Sequence, residues 1–167
     1  MRFLVSSLLL ACTMQTALAA PVAQPADLYD FWLGDWNVTW AKADGSVGKG
    51  RNHVAPVLDG NVIEEQFEMD PAEAPQQLKG RSLSVRDPAG LWHQAWADNQ
   101  GGFFALTGSA DGDKRLFSTA LTVVGKETKG QRMVFHDIGA DAFTWDWEGT
   151  TDGGKTWKLL WRLDYKR

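Results

Sequence analysis

FWLGDWNVTW, Phe31 to Trp40, changes rhythm at its midpoint, and that change decides how the chain is read. Leu28, Phe31 and Trp32 are spaced for a helical turn or two, and Gly34 ends that turn. Beyond it the large apolar residues recur at every second position, so that Trp36, Val38 and Trp40 share one face. Successive side chains of an extended chain point to opposite sides, so this alternation predicts a strand with one buried face. The same rhythm returns downstream. LWHQAWAD groups Trp92, Gln94, Trp96 and Asp98, and FTWDWEG groups Phe143, Trp145 and Trp147. TWKLLWRLDY groups Trp157, Leu159, Trp161, Leu163 and Tyr165.

Between these segments lie turn formers: ADGS, LDGN, RDPAG, DNQGG, ADGD, TKGQ and TDGGK. Their spacing predicts about ten strands, with turns every 8 to 12 residues or so, as in a sandwich or barrel. EMDPAEAPQQLKG, with two prolines, reads as an extended loop. No strand–helix alternation, long amphipathic helix or fixed-period repeat is present in the sequence. The fold class expected is all-β, an antiparallel up-and-down barrel with a short N-terminal helix, because closure removes exposed sheet edges.

The N-terminus reads as an export signal over residues 1–19. Arg2 supplies the positive start, Phe3 to Ala11 the apolar stretch, and Ala17-Leu18-Ala19 a small-residue cleavage site. The apolar stretch is too short to span a bilayer. A rival reading attaches a lipid at Cys12, within Leu9-Leu10-Ala11-Cys12, and leaves a very short leader. Residues 20–26 form a Pro/Ala linker and residues 27–167 the barrel domain. Cleavage after Ala19 removes the chain's one cysteine, so a periplasmic or secreted product would rest on its core without disulfides. With Arg2 gone, 16 basic residues face 21 acidic ones, a net charge of −5. No basic run suits nucleic acid or an anionic membrane surface. Nine tryptophans, all beyond residue 19, are the oddity of composition.

TTDGGKTW, Thr150 to Trp157, matches the Asp-box of sialidases. In it Asp152 is suited to accept from backbone N–H groups two residues on, Gly153 and Gly154 to reverse the chain, and Trp157 to pack beneath the turn. Sialidases repeat the box over the blades of a propeller, which a single domain of this length cannot hold, so it reads as a structural turn. Gly34 and Trp36 on the first strand resemble the Gly-x-Trp start of lipocalin-type barrels. That resemblance implies a Trp36 stoppering the closed end under an arginine of the last strand, Arg162 or Arg167. FWLGDWNVTW, VLDGNVIEEQFE, SLSVRDPAGLWHQAWADNQGG and TTDGGKTWKLLWRLDYKR together resemble an exported bacterial family of unknown function with lipocalin-like barrels. The resemblance implies a fold and a compartment but no activity.

No catalytic set is evident: no serine occupies a G-x-S-x-G elbow, and neither GSVGKG nor NQGGFF opens a helix that could cradle a phosphate. His53, His93 and His136 lack metal-ligand spacing, and no metal or other cofactor is expected. The polar residues on apolar faces say more. Glu65 shares parity with Ile63 and Phe67, Arg81 with Leu83 and Val85, and Gln94 and Asp98 with Trp92 and Trp96. Adjacent strands would gather Glu65, Arg81, Gln94, Trp96 and Asp98 into one interior patch, and these with Trp40 are the candidate ligand contacts. Burial demands that each charge be paired or hydrated, and a Glu65–Arg81 ion pair is the plain reading. Three functions compete. The first is a barrel that binds a small apolar or aromatic molecule. The second is a barrel enzyme (isomerase, cyclase or decarboxylase type) using Glu65 and Arg81. The third is a barrel filled by its own side chains and acting through its surface. An interior cavity would separate the first two from the third.

Overall fold

The computed structural model describes residues 23–73, 75 and 77–167. Residues 1–19, read as an export signal, and Cys12 among them lie outside the described residues. Eleven strands follow one another: β1 Gly34–Ala41, β2 Val47–Val57, β3 Val62–Met69, β4 Lys79–Arg86, β5 Trp92–Asp98 and β6 Phe103–Asp111. Then come β7 Lys114–Ser118, β8 Thr122–Val124, β9 Glu127–His136, β10 Ala142–Thr150 and β11 Lys158–Lys166. Each pairs antiparallel with its neighbour, β7 passing directly to β9, and β11 returns to β1. The result is a closed ten-stranded barrel. The eleventh strand, β8, pairs only with the start of β9 and stands outside the ring.

Alternation makes the barrel. β1 buries Trp36, Val38 and Trp40; β3 buries Ile63, Glu65 and Phe67. Two expectations about these faces need correction. In β4 the inward residues are Gly80, Ser82 and Ser84, while Arg81, Leu83 and Val85 face out, so the apolar parity misleads there. The reason is volume: a Cβ at Gly80 would lie 2.0 Å from the Trp96 indole, and the serines make room for Glu65 and Gln94. In β11 the register slips at a bulge, with Trp147 opposite Trp161 but Glu148 opposite Leu159. The extra residue, Leu160, turns Leu159 and Trp157 away from the face of Trp161.

The expected N-terminal helix is instead one 3-10 turn, Asp30–Trp32. The segment is too short to repay helix nucleation, and Gly34 at φ 130° leads straight into β1. The turn works as a plug. Tyr29 and Trp32 are fully buried, Tyr29 stacks on Phe117 at 4.3 Å, and its hydroxyl donates to the Leu116 carbonyl at 2.6 Å. Trp36 donates its indole N–H to the Trp32 carbonyl at 2.8 Å. The arginine across Trp36 is Arg167, 4.3 Å above the ring, and its Nη2 donates to the Leu33 carbonyl at 2.7 Å. A Cβ at Gly34 would meet that guanidinium at ordinary contact, 3.4 Å, so it is the positive φ that calls for glycine there. Arg162 is not the lid: its position on β11 faces outward, where it grips Asp146 with Nε and Nη2 at 2.7 and 2.6 Å. No helix of the described residues is long and apolar enough to cross a membrane.

Loops 42–46, 70–78, 99–102 and 151–157 crowd the end opposite the plug. The loop read from EMDPAEAPQQLKG contains a second 3-10 turn, Pro71–Glu73, tied to Lys42 by a 3.1 Å ion pair. In the 151–157 turn Asp152 accepts from the N–H groups of Lys155 and Thr156 and from the hydroxyls of Thr150 and Thr156. Its backbone partners thus lie three and four residues on, not two. The Thr156 bonds lead in holding the Asp152 carboxyl far below the usual range. Gly153 and Gly154 take φ 77° and 85°, and the Trp157 indole donates to the Gly154 carbonyl under Arg132. Four donors converging on one carboxylate make this a braced turn.

Candidate functional site

Above the plug the side chains stop filling the barrel. A cavity of about 190 Å³ remains, with Glu65 from β3 and Tyr165 from β11 deep in it and Asp98 of β5 at the loop end. Its walls are indoles and phenyl rings: Trp96, Phe104, Trp145, Trp147 and Trp161, with Phe67 beside Glu65. The wall residues nearest the loops are half-buried, whereas Glu65 and Tyr165 are 5 and 2 % exposed. The cavity therefore runs from the middle of the barrel toward the end away from the plug.

The rings meet edge to face. Trp145 and Trp147 lie parallel, 6.2 Å apart, and Trp161 stands at 88° to Trp145 and 89° to Phe67. Phe104 closes on Trp147 at 5.1 Å. Trp40 sits behind this wall, against Trp161 at 5.5 Å, and supports it without lining the cavity.

Glu65 is held by neutral donors. Asn52 Nδ2 gives one N–H to Oε1 at 2.8 Å, and Ser82 Oγ donates to Oε2 at 2.7 Å. Asn52 gives another N–H to the Tyr165 hydroxyl oxygen at 3.2 Å. Burial pushes the Glu65 carboxyl up to about 7, against the pull of Ser82 and Asn52. Burial, and then the charge of Glu65, raise the Tyr165 phenol well above its ordinary value, opposed by the bond from Asn52. Asp98 behaves differently. Partial burial works against its charge, but N–H donors from Trp96, Gly102 and Gln100 outweigh it and hold the carboxyl below the usual range.

Of the interior patch read from parity, Glu65, Trp96 and Asp98 line one cavity. Gln94 is buried below it, bonded to Ser84 at 3.0 Å. Arg81 is outside the barrel, 3.6 Å from Glu68 in a half-exposed pair, so there is no Glu65–Arg81 ion pair. Glu65 faces Ser82 across the ladder and Arg81 faces Gln66. Asn52, Ser82 and Tyr165 were missed as partners of Glu65. The alternation Gly50–Asn52–Val54 points Asn52 inward and was the available signal. The histidines each meet a carboxylate: His53 with Asp35, His93 with Asp87, and His136 between Asp137 and Asp146. Among the described residues no three His, Cys, Asp or Glu side chains gather as a metal site would need. A scan of protein-family models finds no match to the chain. A search of curated proteins finds no match either.

Proposed function

We propose that this chain is an exported small-molecule-binding barrel of lipocalin-like type. The observation that carries the reading is the aromatic-walled cavity between the plug and the loop end, with two carboxyls among its few polar groups. A barrel packed solid with side chains would have no such space. The plug serves this role by confining entry to one end. At about 190 Å³ the cavity lies below the roughly 300–1,000 Å³ of typical ligand pockets, which points to a small ligand. Native mass spectrometry of protein purified from its source compartment should show a small adduct that is lost on unfolding. Adduct-free protein, together with no quenching of tryptophan fluorescence by a metabolite panel, would sink the reading.

The compartment belongs to the same proposal. Arg2, the apolar stretch and Ala17-Leu18-Ala19 support cleavage after Ala19 and release to the periplasm or beyond. N-terminal sequencing of the exported protein should begin at Ala20. A lipidated N-terminal Cys12 would replace this with an anchored form.

Glu65 supports a second reading. A buried carboxyl with a pKa of about 7 beside a cavity has the properties of a general acid or base. With Arg81 on the outer face, Glu65 would act with Ser82 and Asn52 as its hydrogen-bond partners and Tyr165 one bond further on, through Asn52. Turnover with a pH profile that Glu65→Gln abolishes would favour an enzyme over a carrier.

A further inference from the structure

We propose that the cavity takes a small organic cation, an amine or a quaternary ammonium, held between the indole faces and the Glu65 carboxylate. The inference rests on the binding-barrel reading and specifies its ligand class. Three observations converge on it. Among the described residues the lining includes two carboxyls and no Lys, Arg or His, so the charge it offers is negative. Seven of its twelve lining residues are aromatic, and the faces of such rings are the negative ends of their quadrupoles. The rings also stand at right angles to one another: Trp145 lies parallel to Trp147 and perpendicular to Trp161, which is perpendicular in turn to Phe67, so the cavity is bordered by rings in two orientations.

Glu65 sharpens the choice between ligand classes. Its two protein partners are the neutral groups of Asn52 and Ser82, and no cationic side chain among the described residues contributes to its environment. A neutral ligand would leave that carboxyl to be neutralised by a proton. An anion would face both carboxyls and the π faces together. A cation supplies the missing countercharge and gains from the indoles as well. Asp98 at the loop end adds negative charge where the ligand enters.

The test uses the full chain, choline as the cation, and neohexyl alcohol, in which carbon replaces the ammonium nitrogen without changing the shape. Binding is read by tryptophan fluorescence and calorimetry. At about pH 8 choline should bind on the order of tenfold tighter than the alcohol. Glu65→Gln should cut that preference several-fold, leaving the part that the indoles and Asp98 contribute. If the variant fails to fold, the wild-type protein still decides. Lowering the pH to about 5.5 should protonate Glu65 and reduce the preference to the same extent without mutation. The groups facing Glu65 are Asn52 from β2, Ser82 from β4 and Tyr165 from β11, with Asp98 of β5 at the mouth. Asp98 is held low and Tyr165 is raised, so neither titrates in that window. Equal or tighter binding of the alcohol would overturn the cation assignment and leave the binding barrel standing. A neutral naphthalene fluorophore distinguishes the remaining case. If it enters while choline and the alcohol do not, the cation assignment falls alone; if none of the three enters, the binding reading falls with it.

Discussion

Glu65 is a carboxyl with hydrogen-bond donors but no countercharge, and its effect on stability has a sign that follows from that. Burial raises its folded pKa from 4.5 to about 7, so the folded protein holds the proton more tightly than the unfolded chain. The stability it contributes is fully present below about pH 4.5 and is lost as pH rises through about 7. The whole swing is about 3 kcal/mol. Glu65→Gln keeps the size, removes the charge and so removes the swing. We expect the variant to melt at the same temperature as wild type, or higher, at about pH 8, with the gap closing toward pH 4.5. An Arg81 partner would demand the opposite, a loss at neutral pH, and Arg81 is on the other side of the sheet. Thermal melts of the two proteins across pH check this. A constant deficit in the variant at every pH would mean that Asn52 and Ser82 require a carboxyl rather than an amide.

Among the elements, the plug is the one whose loss is easiest to isolate. Tyr29 is held by stacking on Phe117 and by its bond to the Leu116 carbonyl. Tyr29→Phe keeps the stack and deletes the bond, so it should cost about 1 kcal/mol in urea unfolding with an unchanged denaturant slope. An unmoved midpoint would show that the hydroxyl contributes nothing. The elements also show what could be read in advance. β1, β3 and β5 were legible because large inward residues alternate with outward ones that are polar in β1 and β3 and smaller in β5, and Glu65 was found on that basis. β4 was not, because its inner face is made small to admit Trp96 and Glu65 from neighbouring strands, which leaves Leu83 and Val85 in solvent. Such a constraint lies in the pairing, not in the strand's own residues. The bulge at Leu160 is of the same kind: nothing in TWKLLWRLDY marks where the face changes. The cage of Trp145, Trp147 and Trp161 was visible as two strand faces, but that they meet over Glu65 depends on barrel closure.

At the scale of the whole molecule, closure is uneven. β1 pairs with β2 through eight residue pairs but with β11 through three, Asn37↔Lys166, Val38↔Tyr165 and Thr39↔Asp164. Both strands are long enough for more, so they diverge toward the loop end, beside Trp40 and Trp161. The β7–β9 seam has four pairs, but there β7 itself is only five residues long. Arg162 does not bridge the divergence, since it binds Asp146 on β10, the other side of β11. The Trp40–Trp161 contact is what covers it, and Trp161 is also a wall of the cavity. This seam joins the first and last strands, a contact of long sequence separation that is costly to form. Local opening should therefore start there. Followed by NMR, the one amide of Trp40 and Ala41 that faces β11, and the one of Trp161 and Arg162 that faces β1, should exchange on the order of tenfold faster than the cross-strand amides within Asn37–Thr39 and Asp164–Lys166. A ligand that pins Trp161 should slow that exchange while leaving the β7–β9 seam unchanged, because only the first seam shares a residue with the bound state. Equal protection along the full length of β1 and β11 would show that the barrel is as firmly closed at the loop end as at the plug, and the cavity would then be entered only past Asp98 and Leu78 at its mouth.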